Sequence, residues 1–172
     1  MKRNVAVRVV GPMGWIVLPA LSCVVATILL ATPVKLFGLH LPELVFPMVL
    51  AFAWPLIRPS MLAPAVLFAL GIFLDIFWAG RLGLWPLVLL GVYGVVLAGR
   101  PLLIGQETPV LFVWYASATT VALTVAYAIV GIGAGNAPSV LTFLGWLVPT
   151  LLLFPLADRM VERFDDGDVR YR

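Results

Sequence analysis

Charged residues in this chain punctuate long apolar runs. Val9 to Val34 is 26 residues without a charge, and Thr108 to Ala157 is 50. As one helix the second run would be about 75 Å long at about 1.5 Å per residue, more than twice the roughly 30 Å of a bilayer's hydrocarbon core. It must cross twice, and Gly131-Ile-Gly-Ala-Gly-Asn-Ala-Pro138 is the natural break. Arg58, Arg81 and Arg100 divide the middle of the chain into three further apolar stretches. The pattern predicts an all-α, polytopic membrane fold of six transmembrane helices. They lie at about 10–33, 41–57, 61–79, 82–99, 108–130 and 139–157, the second and fourth being short. They form one domain, 1–157, followed by a charged tail, 158–172.

Pro19, Pro47, Pro55, Pro64, Pro86, Pro149 and Pro155 fall within or at the ends of these spans. Each removes a backbone donor and tends to kink its helix. Membrane helices tolerate this where a neighbour satisfies the freed carbonyl, so an irregular, kinked bundle is expected. Asp158, Arg159, Glu162 and Arg163 continue the last helix by a turn or two. Beyond them Asp165, Asp166 and Asp168 are expected in a solvated, fraying tail. Lys2, Arg3 and Arg8 before an apolar run resemble the start of a secretory signal. The run is far longer than a signal's apolar region of about 7–15 residues, so a retained helix is expected.

Composition agrees with this pattern: 63% of residues are hydrophobic and 11% charged. A soluble domain carries about 25% charged residues, and a soluble chain of this length could not bury so much apolar surface. The pI of about 9.4 would suggest nucleic acid in another context. Here the basic residues form no cluster, so nucleic acid is not an expected partner and membrane lipid is. They are instead an orientation signal. With the N-terminus in the cytoplasm, Lys2, Arg3, Arg8, Arg58, Arg100, Arg159, Arg163, Arg170 and Arg172 face inside, against Lys35 and Arg81 outside. Nine against two is a strong positive-inside bias and places both termini in the cytoplasm.

The most informative polar residue is Asp75, in Gly71-Ile-Phe-Leu-Asp75-Ile-Phe-Trp-Ala-Gly80-Arg81-Leu82-Gly83. A carboxylate at mid-membrane costs about 2.5–3.5 kcal/mol on insertion scales and rarely faces lipid. Asp75 falls towards the outer end of its span, where the cost is lower. Gly71 lies four residues before it on the same face, which Phe68 and Trp78 extend. Gly71 admits a close backbone neighbour. Gly80 and Gly83 are expected to supply positive φ in a tight turn. That turn brings the start of span four, with its free amides and partial positive charge, back to Asp75. Arg81 is a second candidate partner. Three readings of Asp75 remain: a fastener for this hairpin, a partner- or ligand-binding group, or a proton carrier. The last is weakened because Glu43 and Glu107 sit near span ends and form no relay.

In span five, Ser117, Thr120 and Thr124 share a face, and Ala118, Ala122 and Ala126 form an adjoining one. Small and hydroxyl-bearing residues of this kind pack membrane helices closely, within the bundle or against a separate partner. Gly131, Gly133 and Gly135 read as a flexible outer loop; they follow no strand and precede no Lys-Ser/Thr pair of a phosphate loop. His40 and Cys23 each stand alone, so no metal, cofactor or disulfide is expected. No span combines a nucleophile with a base, and the expectation is a protein without catalytic residues.

The run Phe68-x-x-Gly71-x-x-x-Asp75-x-x-x-x-Gly80-x-Leu82-Gly83, with Arg58-Pro59 at the start of its span, resembles the signature of the MreD family of bacterial rod shape-determining membrane proteins. Chain length, number of spans and the motif's central position are similar as well. The resemblance implies a non-enzymatic scaffold in the cytoplasmic membrane that binds MreC. The same assembly holds the MreB filament, the RodA glycosyltransferase and a penicillin-binding transpeptidase, and directs lateral peptidoglycan synthesis and rod cell shape. It implies a fold similar to the substrate-binding subunits of energy-coupling-factor transporters, and places the family's motif on Gly71, Asp75, Gly80, Leu82 and Gly83. That fold likeness keeps a second expectation in play, a subunit binding a small, vitamin-like molecule for a membrane transporter. Such a site would need several convergent polar groups.

Overall fold

A computed structural model describes residues 13–31, 44–134 and 139–169. Lys2, Arg3, Arg8, Lys35, His40, Glu43, Gly135, Arg170 and Arg172, all used above, lie outside the described residues. The described chain is all-α. A π-helical turn, Met13–Val17, leads into α1 (Leu18–Ala31). There follow α2 (Pro47–Ile57), α3 (Leu62–Phe77), α4 (Leu84–Leu103), α5 (Thr108–Ala134), α6 (Val140–Leu151) and α7 (Phe154–Val169). Among the described residues three stretches are long and apolar enough to cross a membrane: Leu84–Leu103, Thr108–Ile132 and Val140–Arg163. Gly14–Leu30, Pro47–Ile57 and Leu62–Phe77 are shorter apolar helices.

The bundle is organised around α2. Every residue from Pro47 to Leu56 is buried, and α1, α3, α4 and α7 pack around it. A helix enclosed on all sides has no polar face to offer, and the α2 sequence has none until Arg58. Trp54 lies at its centre, fully buried, and its indole donates to the Trp15 carbonyl at 3.2 Å. That carbonyl belongs to the π-helical turn, where the regular bonding ladder is shifted. Phe52 packs edge-on against Tyr115 of α5, with ring centroids 5.2 Å apart.

The remaining helices are one-sided. In α3, Ala63, Leu67, Leu70, Gly71, Leu74 and Asp75 form the buried stripe, at the three-and-four spacing of an inward face. Phe68 falls off it and is 52% exposed, so it does not extend the Gly71–Asp75 face as the sequence suggested.

Several helix bounds differ from expectation. Helix α2 begins at Pro47 rather than 41, and residues 44–46 are not helical. Helix α4 runs to Leu103 rather than 99 and takes Arg100 into its last turn, where a cation suits the negative end of the helix. Helix α5 runs to Ala134, so Gly131 and Gly133 are helical rather than loop; in apolar surroundings the helix offers their backbone groups the only ready partners. The sixth span breaks at Leu152–Leu153 into α6 and α7, and α7 stays helical to Val169 instead of fraying after a turn or two. The break lies between Pro149 and Pro155, which lack the amides a continuous helix needs. Its Thr150 carbonyl accepts the Leu153 amide at 3.2 Å and the buried Tyr115 hydroxyl at 2.8 Å.

Candidate functional site: the Asp75 clamp

The turn between α3 and α4 is closed by two consecutive devices. The first ends α3. The Gly80 amide donates to the Asp75 carbonyl at 2.8 Å and the Ala79 amide to the Ile76 carbonyl at 3.2 Å. This six-to-one, five-to-two pair is the Schellman arrangement, in which the residue donating the five-to-two bond is left-handed. That residue is Ala79, at φ 49°. The sequence pointed to Gly80 for positive φ, but the bonding register puts the demand one residue earlier. The expectation for Gly83 corresponds to its observed φ of 95°.

The second device starts α4. Gly83 occupies the N-cap and has no side chain with which to cap. Asp75 takes that role from the preceding helix: Oδ2 accepts the Gly83 amide at 2.6 Å and Oδ1 accepts the Trp85 amide at 3.1 Å. Two donors that α4 cannot satisfy internally are thereby matched, with a negative group at the positive end of the helix dipole. Asp75 is only 1% exposed, so these bonds sit where water would otherwise be needed.

Gly71 makes the approach geometrically feasible. A Cβ on it would fall 2.6 Å from Pro86 Cα and 2.7 Å from Pro86 Cδ, and closer still to the proline nitrogen. Only a residue without a side chain lets the first turn of α4 sit there. Pro86 and the Trp85 amide were not singled out from sequence; a proline in the first turn of a helix was the available signal. Around them Trp78 packs on Trp85 and Trp85 on Trp146, with centroids 5.1 and 6.0 Å apart.

The structure thus brings Gly71, Asp75, Gly80 and Gly83 into one arrangement and leaves out Leu82, the fifth motif position, and Arg81, the second candidate partner. Leu82 is 74% exposed. Arg81 does not meet Asp75; its guanidinium donates to the Ile129 carbonyl of α5 at 3.4 Å. Each oxygen of the Asp75 carboxylate accepts one backbone amide of the α4 start.

The two faces expected on span five separate. Ala122 and Ala126 are buried and Ala118 half-buried, whereas Ser117 and Thr124 are exposed and Thr120 half-buried. The Ser117 and Thr124 hydroxyls bond the Val113 and Thr120 carbonyls of their own helix, both at 2.7 Å. The alanines face the bundle and the hydroxyls stay on their own helix. Between α4 and α5 lies a groove of about 430 Å³ that the sequence did not suggest.

Fold and site together define a multi-helix, all-α protein with at least three membrane-length apolar helices and a carboxylate-fastened helical hairpin. No family model, curated protein or solved structure matches the chain.

Proposed function

We propose that this chain is a non-enzymatic, six-pass scaffold of the bacterial cytoplasmic membrane, with both termini in the cytoplasm. In this reading it belongs with MreD-like proteins and has the fold of the substrate-binding subunits of energy-coupling-factor transporters. It binds MreC within the assembly of MreB, RodA and a penicillin-binding transpeptidase that builds the lateral cell wall. The observation supporting a scaffold is the engagement of both Asp75 oxygens by α4 amides. The residues resembling the family signature then serve to hold one helical hairpin in a fixed shape, which is what a surface for partner helices requires. The rival, a vitamin-binding subunit, calls for convergent polar groups, and the α4–α5 groove is walled by apolar side chains. The test is affinity purification from native membranes. A co-purifying single-span protein with a periplasmic coiled coil is the expected result. Recovery of the folded chain with a bound vitamin-like molecule and no such protein overturns the proposal.

A further inference from the structure

We propose that the groove between α4 and α5 holds one acyl chain of an anionic glycerophospholipid whose phosphate rests on Arg81. Val88, Val92 and Ala122 form the buried floor of the groove, and exposed Leu87, Val95 and Val121 stand along its rim. Its length fits one chain. From Trp114 to Val125 on α5 is about 16 Å at about 1.5 Å per residue, against roughly 15 Å for one leaflet's hydrocarbon. Trp114 closes one end: its ring lies 3.3 Å from where a Cβ on Gly99 would stand. The other end is charged. One turn beyond Val125 is Ile129, and its carbonyl carries the Arg81 guanidinium at 3.4 Å.

Arg81 is exposed, and its guanidinium meets the Ile129 carbonyl rather than the carboxylate of Asp75, which accepts the Gly83 and Trp85 amides. A guanidinium has five donors in a planar fork that matches phosphate oxygens, and among the described residues only one bond is made here. An apolar channel of one-leaflet depth with a cation at its mouth is the complement of a phospholipid's tail and headgroup. The Ser117 hydroxyl, being bonded to Val113, adds no polar demand inside.

The test is native mass spectrometry of the purified chain in mixed micelles with phosphatidylglycerol, with diacylglycerol and with inorganic phosphate. Wild type should retain phosphatidylglycerol. Arg81→Gln should weaken it about fivefold, the usual effect of one basic side chain, and leave diacylglycerol unaffected. Gly91→Leu should abolish retention of both lipids while keeping the wild-type thermal transition, because nothing lies within 4 Å of a Cβ at Gly91. Equal retention of phosphatidylglycerol by Gly91→Leu and wild type overturns the proposal. So does displacement of the lipid by inorganic phosphate, which would mark a free-anion site. A photoreactive side chain at Val121 that couples to a polypeptide rather than to lipid in native membranes overturns it too.

Discussion

Gly71 and Pro86 approach so closely that the shortest possible side chain on the glycine would stand 2.6 Å from the proline Cα. Both partners are backbone or ring atoms, so neither can swing aside. Gly71→Ala should therefore cost about 2–3 kcal/mol through overpacking. Gly91→Ala, whose new methyl meets open space, should be neutral or stabilising by up to about 1 kcal/mol. Chemical denaturation in micelles separates the two, and equal effects would show that α3 and α4 do not meet at this point.

Asp75→Ala leaves the buried Trp85 amide and the part-buried Gly83 amide without their acceptor. A loss of about 3 kcal/mol is expected from two such donors at a helix start. Asp75→Asn keeps one acceptor oxygen and should lose less, about 1–2 kcal/mol. Thermal melting of the two variants side by side reads the order; an asparagine variant as unstable as the alanine one would argue against the clamp.

The two left-handed positions should respond in opposite directions. Ala79 sits at φ 49° with a Cβ that disfavours it, so Ala79→Gly should stabilise by about 1 kcal/mol. Gly83 sits at φ 95°, and Gly83→Ala should destabilise by at least about 1 kcal/mol even though its surroundings are open. Midpoint shifts of the same sign in both variants would contradict the turn geometry.

Tyr115→Phe removes the hydroxyl that bonds the Thr150 carbonyl at the α6–α7 break. That carbonyl keeps the Leu153 amide, so the loss should be modest, about 1 kcal/mol. Hydrogen exchange at Leu152 and Leu153 should rise in the variant; exchange unchanged from wild type would place the support for the break elsewhere.

Element type and approximate position were legible because apolar runs bounded by charges leave little choice in a membrane-length chain. The pairing of Asp75 with the start of α4 was legible for a related reason: a carboxylate, a glycine one turn earlier and a tight reversal leave few other donors within reach. Ala79 was not, because the residue that turns left-handed is set by which amides close on Asp75 and Ile76, and composition favours the neighbouring Gly80. Arg81 was misassigned because sequence adjacency to Asp75 says nothing about Ile129, 48 residues away along the chain. The division of the last span was foreshadowed by Pro149 and Pro155, but many membrane helices carry prolines without parting, and the Tyr115 hydroxyl that accommodates the break comes from another helix. The α4–α5 groove depends on how two helices cross, which no single stretch of sequence encodes.

The enclosure of α2 has a consequence for how the protein comes into being. Its eleven residues cover about 16 Å, roughly half the hydrocarbon thickness, and all but Ile57 are buried inside the protein. One of the helices walling them in is α7, encoded about a hundred codons downstream. During synthesis the emerging α2 must therefore wait with an open flank until α7 has been made. Chains halted before Phe154 would keep that flank uncovered.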